Sequence, residues 1–134
     1  ILIVCVDDHN GMMFNHRRQS QDRILRADIL ELTGGKKLWM NAYSKKQFAE
    51  SDTARIRVNE TFLDAAGDGE ICFVENADVS GCVERIEEIY LYRWNRDYPA
   101  DVYFPVDLSV WKCVETKEFA GSSHEKITRE RYTR

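Results

Sequence analysis

Apolar residues in this chain come in short unbroken runs separated by amphipathic stretches. Ile1 to Val6, Lys37 to Asn41 and Glu70 to Val74 read as strands covered on both faces. Between them, Ile24, Leu25, Ile29 and Leu32 recur at helical spacing, which predicts a helix from about Ser20 to Thr33, with Ser20 as its N-cap and Gly34-Gly35 as its stop. Ser44 is expected to cap a short helix running to Phe48 or Glu50. Ala54 to Val58 alternates as a short strand, and Asn59 to Ala66 suggests a further helix closed by Gly67-Asp68-Gly69. Asp78 is expected to cap a helix carrying Val79, Cys82, Val83 and Ile86. Glu88 to Trp94 then reads as a strand, broken by Tyr98-Pro99. Trp111 to Phe119 and His124 to Tyr132, joined through Gly121, predict a terminal antiparallel hairpin. The order β-α-β-α-β-α-β-α-β-β-β implies an α/β fold with a mainly parallel sheet.

Composition changes this picture little. A chain of 134 residues is expected to form one domain, 1–134, with a core that needs neither disulfides nor metals. The net charge of -4 weighs against nucleic acid as a partner, and no apolar run is long enough to cross a bilayer. The four cysteines (Cys5, Cys72, Cys82, Cys113) form no C-x-x-C pair, and three lie in apolar runs, so buried free thiols in a reducing cytoplasm are expected rather than disulfides. Metal binding is not expected. No H-E-x-x-H is present, and Asp7-Asp8-His9 is too little text for a metallohydrolase cage. Nothing resembles a nucleophile elbow, although Ser-His-Asp chemistry assembles in space and is not excluded by sequence.

The element order and certain residues together resemble dihydrofolate reductases. At the tail these are Ile89-Tyr90-Leu91, then Asp101-Val102-Tyr103-Phe104-Pro105, Trp111, and Tyr132 to Arg134. At the front they are Asp8, Gly11, Phe14 and Asp22. The run from Glu75 to Arg93 lies on the family's glycine pair, helix and strand without a gap. One inner strand is missing after the second helix. The resemblance implies a three-layer α/β/α fold with a mixed sheet and C-terminal hairpin.

The cofactor positions depart from that pattern. Where the family's Gly-Arg-x-Thr holds the cofactor phosphates, this chain has Asn41-Ala42-Tyr43-Ser44, without the cation. Where paired glycines approach the nicotinamide, it has Glu75-Asn76. Ser80 stands for the family's tyrosine, and Arg93 for the threonine that supports the catalytic acid. Backbone cannot approach a cofactor as closely past side chains as past glycine, and a carboxylate repels phosphate. No cofactor is therefore expected, NADPH included.

The substrate end keeps more of the pattern. Asp22 is the residue that the resemblance aligns with the acid that grips a pterin, since a carboxylate accepts two parallel N–H donors. As a catalytic group it is the lone candidate. The bland alternative is a solvated Asp at a helix start, paired with Arg18 four residues earlier. Arg17 and Arg18 with Asn15, His16, Gln19 and Ser20 offer an anion site, against the alternative of a solvated basic loop. His9 and His16 are titratable near neutrality but lie in polar loops, where an exposed histidine is the ordinary case.

The expected crevice is lined by Phe14, Arg17, Arg18, Asp22, Asn41 and Tyr43. It suits a pterin-like or other small heterocyclic or anionic ligand in a domain without NADPH-dependent reduction. Two alternatives stay open: a divergent pterin or pyrimidine reductase that grips its cofactor differently, and a structural subunit, homo-oligomeric or partnered, that uses the sheet edge or Arg17-Arg18.

Overall fold

The computed structural model describes residues 1–48 and 55–134. Its main element is a seven-stranded sheet whose strands are β1 (Leu2–Val6), β4 (Leu38–Met40), β5 (Ile56–Val58), β6 (Ile71–Val74), β7 (Glu88–Arg93), β9 (Lys112–Phe119) and β10 (Ile127–Thr133). In space these run β5-β4-β6-β1-β7-β10-β9. The first five are parallel, with Ile3 opposite both Phe73 and Tyr90, and β10 and β9 add an antiparallel hairpin to the β7 edge. The chain thus has the expected mixed, mainly parallel α/β sheet.

Alternation along the central strands divides the core into two faces. Leu2, Val4 and Val6 of β1, Cys72 and Val74 of β6, and Ile89 and Leu91 of β7 share one face with Phe62, Val79 and Ile86. Ile3, Ile71, Phe73 and Tyr92 share the other with Leu25 and Ile29 of α1 (Arg23–Thr33). Each such aliphatic side chain, fully buried, contributes about 1.5–3 kcal/mol. Two short helices, α2 (Ala42–Lys45) and α3 (Phe62–Ala65), and a 3₁₀ turn at Ser80–Arg85 complete the layers. α1 ends at Gly34, whose φ of 54° is the left-handed backbone that glycine tolerates.

Several boundaries differ from expectation. Asp22, not Ser20, caps α1. Its backbone is extended (φ −152°, ψ 127°), and its carboxylate accepts the N–H groups of Ile24 and Leu25. Asn41, not Ser44, caps α2 by accepting Ser44 N–H. The helix expected at Asn59 to Ala66 shortens to α3. The one after Asp78 is 3₁₀, with Asp78 accepting Ser80 N–H. The end of the helix expected to reach Glu50 and the strand residue Ala54 lie outside the described residues.

The polar entrance to α1 is not a loop. β2 (Gly11–Phe14) and β3 (Arg17–Arg18) pair across a two-residue turn, and β8 (Val102–Tyr103) joins β2 to make a three-stranded antiparallel sheet. Asn15 and His16 carry φ values of 51° and 61°, the positive pair that a type I′ hairpin turn requires. Asn15 N–H is held by Asp101 at 3.0 Å.

The four cysteines are free. Cys72 is buried and Cys5 and Cys82 are half-buried, but Cys113 is exposed on β9, the edge strand of the sheet. Burial pushes the Cys72 thiol up to about 11. Trp94 and Trp111 are buried core residues, while half-buried Trp39 donates to Glu70 at 3.0 Å.

Asp28 of α1 ties that helix to the hairpin. Its buried carboxylate accepts Tyr92 Oη–H at 2.6 Å, Lys117 Nζ at 3.1 Å and Arg129 Nη1 at 2.8 Å. Burial would raise its pKa, but these donors hold it below the usual range. Tyr92→Phe, which leaves the two cations in place, is expected to cost about 1–2 kcal/mol in urea denaturation. Unchanged stability would deny the tyrosine hydroxyl that role.

Candidate functional site

Ligand crevices of open α/β sheets lie beyond the carboxyl ends of the strands. Here that end, between β1 and β6, is roofed by the β2–β3 hairpin and flanked by the start of α1. A narrow crevice, with a cavity volume of only about 10 Å³, is bounded by Cys5, Phe73 and Val74 below, Met12, Arg18 and Gln19 above, and Leu25 and Trp94 at the side.

Its mouth is crossed by an ion pair. Arg18 meets Glu75, the residue after β6, through two parallel bonds, Nε to Oε2 at 2.8 Å and Nη2 to Oε1 at 3.1 Å. Tyr43 completes the latch. Its hydroxyl accepts Arg18 N–H at 2.7 Å, its carbonyl accepts Nη2 at 3.3 Å, and its ring lies 4.5 Å beneath the guanidinium. Burial opposes the charge on Arg18, but the hydrogen bond and charge of Glu75 outweigh it and raise its pKa. The pairing of Arg18 with Asp22 is thus replaced by one with Glu75, because β3 carries Arg18 across the crevice and away from α1.

Asp22 lies on the other flank, with its side chain 0 % exposed. Beyond its two helix-capping bonds, Oδ1 accepts Ser122 N–H at 3.0 Å, Oδ2 accepts Ser123 N–H at 2.9 Å, and the His124 ring nitrogen Nδ1 lies 3.1 Å from Oδ2. Burial would raise the carboxyl's pKa; the N–H groups of Ser122 and Ser123, then His124 and Leu25 N–H, hold it well below the usual carboxylate range. It is a helix-start Asp, but a buried one, serving the turn between β9 and β10. That turn comes so close that a Cβ on Gly121 would sit 2.9 Å from Asp22 Cγ and from Ile127 Cδ1.

The six residues expected to line one crevice therefore fall into separate groups. Arg18 and Tyr43 meet. Asn41 is buried, caps α2 and donates to Asn76 at 2.7 Å. Phe14 and Arg17 are exposed at the hairpin tip. Asp22 faces the terminal hairpin. His9 is exposed and paired with Asp97, and His16 is exposed in the turn.

The histidine that the sequence reading passed over is the buried one. His124 stacks on Trp94 with ring centroids 4.6 Å apart, and its Nε2 lies 3.2 Å from Ser20 Oγ and 3.0 Å from Tyr98 Oη. Gly121-Ser-Ser-His, a tight polar turn against the last strand, was the available signal.

Two further features bear on binding. Gln19 donates to Asp7 at 2.8 Å and to Pro99 O at 3.3 Å, which leaves its buried Oε1 without a partner. A groove between α1 and residues 46–48 is lined by Gln21, Asp22, Arg23, Arg26, Lys46, Gln47 and Ser122. None of its three cations forms an ion pair with a described residue.

No protein-family model matches the chain, and no curated protein matches it. Among solved structures, the dihydrofolate reductase from Enterococcus faecalis complexed with NADP(H) and RAB-propyl aligns with a TM-score of 0.70. The alignment covers 99% of this chain and 94% of that one, at 13% identity. The chain has a dihydrofolate reductase-like fold. Likeness at that identity extends to backbone architecture, which includes the strand ends where the crevice lies, and not to the side chains in it. Among the described residues, no helix is long and apolar enough to cross a membrane, and no cluster of three or more metal-ligating side chains occurs.

Proposed function

We propose that this dihydrofolate reductase-like domain binds a small anionic ligand in the groove beside Asp22, without the NADPH-dependent reduction of the resembled family. The observation that carries the reading is the groove itself. Arg23, Arg26 and Lys46 line one concavity without an ion pair to a described residue, and the carboxylate of Asp22, which also lines it, is taken up by backbone N–H groups. Three cations beside one another repel, and a phosphate or carboxylate relieves that repulsion.

The residues after β6 and β4 do not suit a nicotinamide dinucleotide held as in the resembled family. Glu75 stands where glycine would admit the cofactor, and its ion pair with Arg18 runs across the opening. Ala42 supplies no cation for a phosphate. These features support a site reduced to its ligand end, and no reductive step is derived for it.

A thermal-shift series tests the reading. Dihydrofolate, methotrexate or inorganic phosphate at about 100 times its dissociation constant is expected to stabilise the protein by about 2.7 kcal/mol, and Arg26→Ala with Lys46→Ala to abolish the shift. NADPH is expected to give none. A shift with NADPH that survives the double substitution would restore the reductase reading, and no shift with any probe would leave a protein-interaction role.

A further inference from the structure

Ser20, His124 and Asp22 come from the approach to α1 and from the turn a hundred residues later, and they form an unbroken chain of polar contacts. Asp22 Oδ2 lies 3.1 Å from His124 Nδ1, and His124 Nε2 lies 3.2 Å from Ser20 Oγ. The carboxylate can only accept, which favours the tautomer with the proton on Nδ1, where Ser123 Oγ also lies at 3.1 Å, and turns the Nε2 lone pair toward the hydroxyls of Ser20 and Tyr98. Stacking on Trp94 and a side-chain exposure of 1 % fix the imidazole plane. The arrangement has the three relations of a nucleophilic triad: hydroxyl to base, base to carboxylate, and a base that cannot turn away.

Ser20 is half-buried and lines the narrow crevice, whose walls include the apolar side chains of Met12, Leu25, Phe73, Val74 and Trp94. Gln47 lines the same crevice, and its amide is the donor this scheme assigns to the oxyanion.

We propose that Ser20 is an activated nucleophile that transfers a small apolar acyl group from an ester to water. Ser20 Oγ attacks the ester carbonyl carbon as its proton passes to His124 Nε2. The carbon–oxygen bond to the leaving alcohol breaks, and that alcohol takes the proton from Nε2. Water then attacks the acyl-serine, giving its proton to Nε2, and the regenerated Ser20 hydroxyl takes it back as the carboxylic acid departs. Asp22 is a positioning residue in this scheme, acting through His124. Tyr98 is its competitor, since its hydroxyl lies 3.0 Å from the same lone pair.

The test is covalent labelling of the intact protein with phenylmethanesulfonyl fluoride, followed by peptide mapping and by turnover of p-nitrophenyl acetate. The adduct is expected on Ser20 in preference to its neighbours Ser122 and Ser123, and Ser20→Ala should remove it together with the ester turnover. His124→Gln should slow labelling about 100-fold or more, the ordinary contribution of a general base. Tyr98→Phe frees the lone pair and should speed labelling several-fold, an effect that a purely structural network would not produce. Labelling of Ser122 or Ser123 at the same rate as Ser20 would overturn the proposal, as would no adduct or a Tyr98→Phe variant no faster than the parent. Should His124→Gln fail to fold, Ser20→Ala and Tyr98→Phe decide the matter.

Discussion

Asp22→Ala lowers stability by about 3–4 kcal/mol and the melting temperature by about 10 °C or more. The substitution removes the helix cap, worth about 1 kcal/mol alone. It also strands the Nδ1–H of His124 where water does not reach it, and takes the acceptor from the part-buried N–H groups of Ser122 and Ser123. An orphaned buried donor costs about 1–3 kcal/mol, and the losses overlap because the donors share one carboxylate. The effect depends on pH in a definite direction. The folded-state pKa of Asp22 is depressed, so its contribution is complete above the unfolded value of about 4 and is lost as pH falls below that toward the folded one. Asp22→Ala therefore flattens the acid limb of the stability curve without abolishing it, because Asp7 and Asp28 are depressed too. Urea denaturation from pH 7 to pH 2 checks both statements. A loss under 1 kcal/mol, or an unaltered acid limb, would show that Asp22 does not hold the two segments together.

The second large effect concerns the latch. Removing one partner of a buried ion pair leaves the other charged and poorly solvated, at a cost of about 3–5 kcal/mol when burial is complete. Arg18 retains 21% exposure against 9% for Glu75, so about 2–3 kcal/mol is expected for either Arg18→Ala or Glu75→Ala. The double substitution Arg18→Met with Glu75→Leu restores apolar contact and removes both charges. It should come within about 1 kcal/mol of the parent, because hydrophobic replacements of buried pairs are often neutral. A double-mutant cycle closed with the matching single substitutions, Arg18→Met and Glu75→Leu, measures the coupling directly. Single substitutions that cost nothing, or a double one that sums the two, would mean that the pair is solvated and the crevice mouth is open.

The strands and the helix α1 were legible because their information is local. Ile1 to Val6, Glu70 to Val74 and the spacing of Leu25 and Ile29 each carry a periodicity that tertiary context does not have to supply. The hairpin β2–β3 was not legible, because Asn15-His16 lacks the glycine that usually marks a type I′ turn, and because β8, its stabilising neighbour, lies far along the chain. Ser20 and Asp22 are both good N-cap residues two positions apart. The choice between them is made by the turn at residues 121–124, which occupies Asp22 and draws Ser20 toward His124. The same long-range cause hid His124. Cys113 stands in an apolar-looking run yet is exposed, since no pattern along one strand says whether another strand covers it.

The clasp between Asp22 and residues 122–124 also sets an order of events during synthesis. As the chain leaves the ribosome, the α1 segment emerges early together with the carboxylate that caps Ile24 and Leu25 in the folded domain. Its other partners are made about a hundred residues afterwards, at roughly 5–20 residues per second. Through that interval the helix has neither the turn beneath its first residue nor the contacts that β10 brings to Asp28. Contacts of such long sequence separation make a slow, all-or-none closure. The nascent domain thus stays dependent on its last strand, and a chaperone that shields the growing sheet edge at β7 would act at the stage when this protein is most open to mispairing.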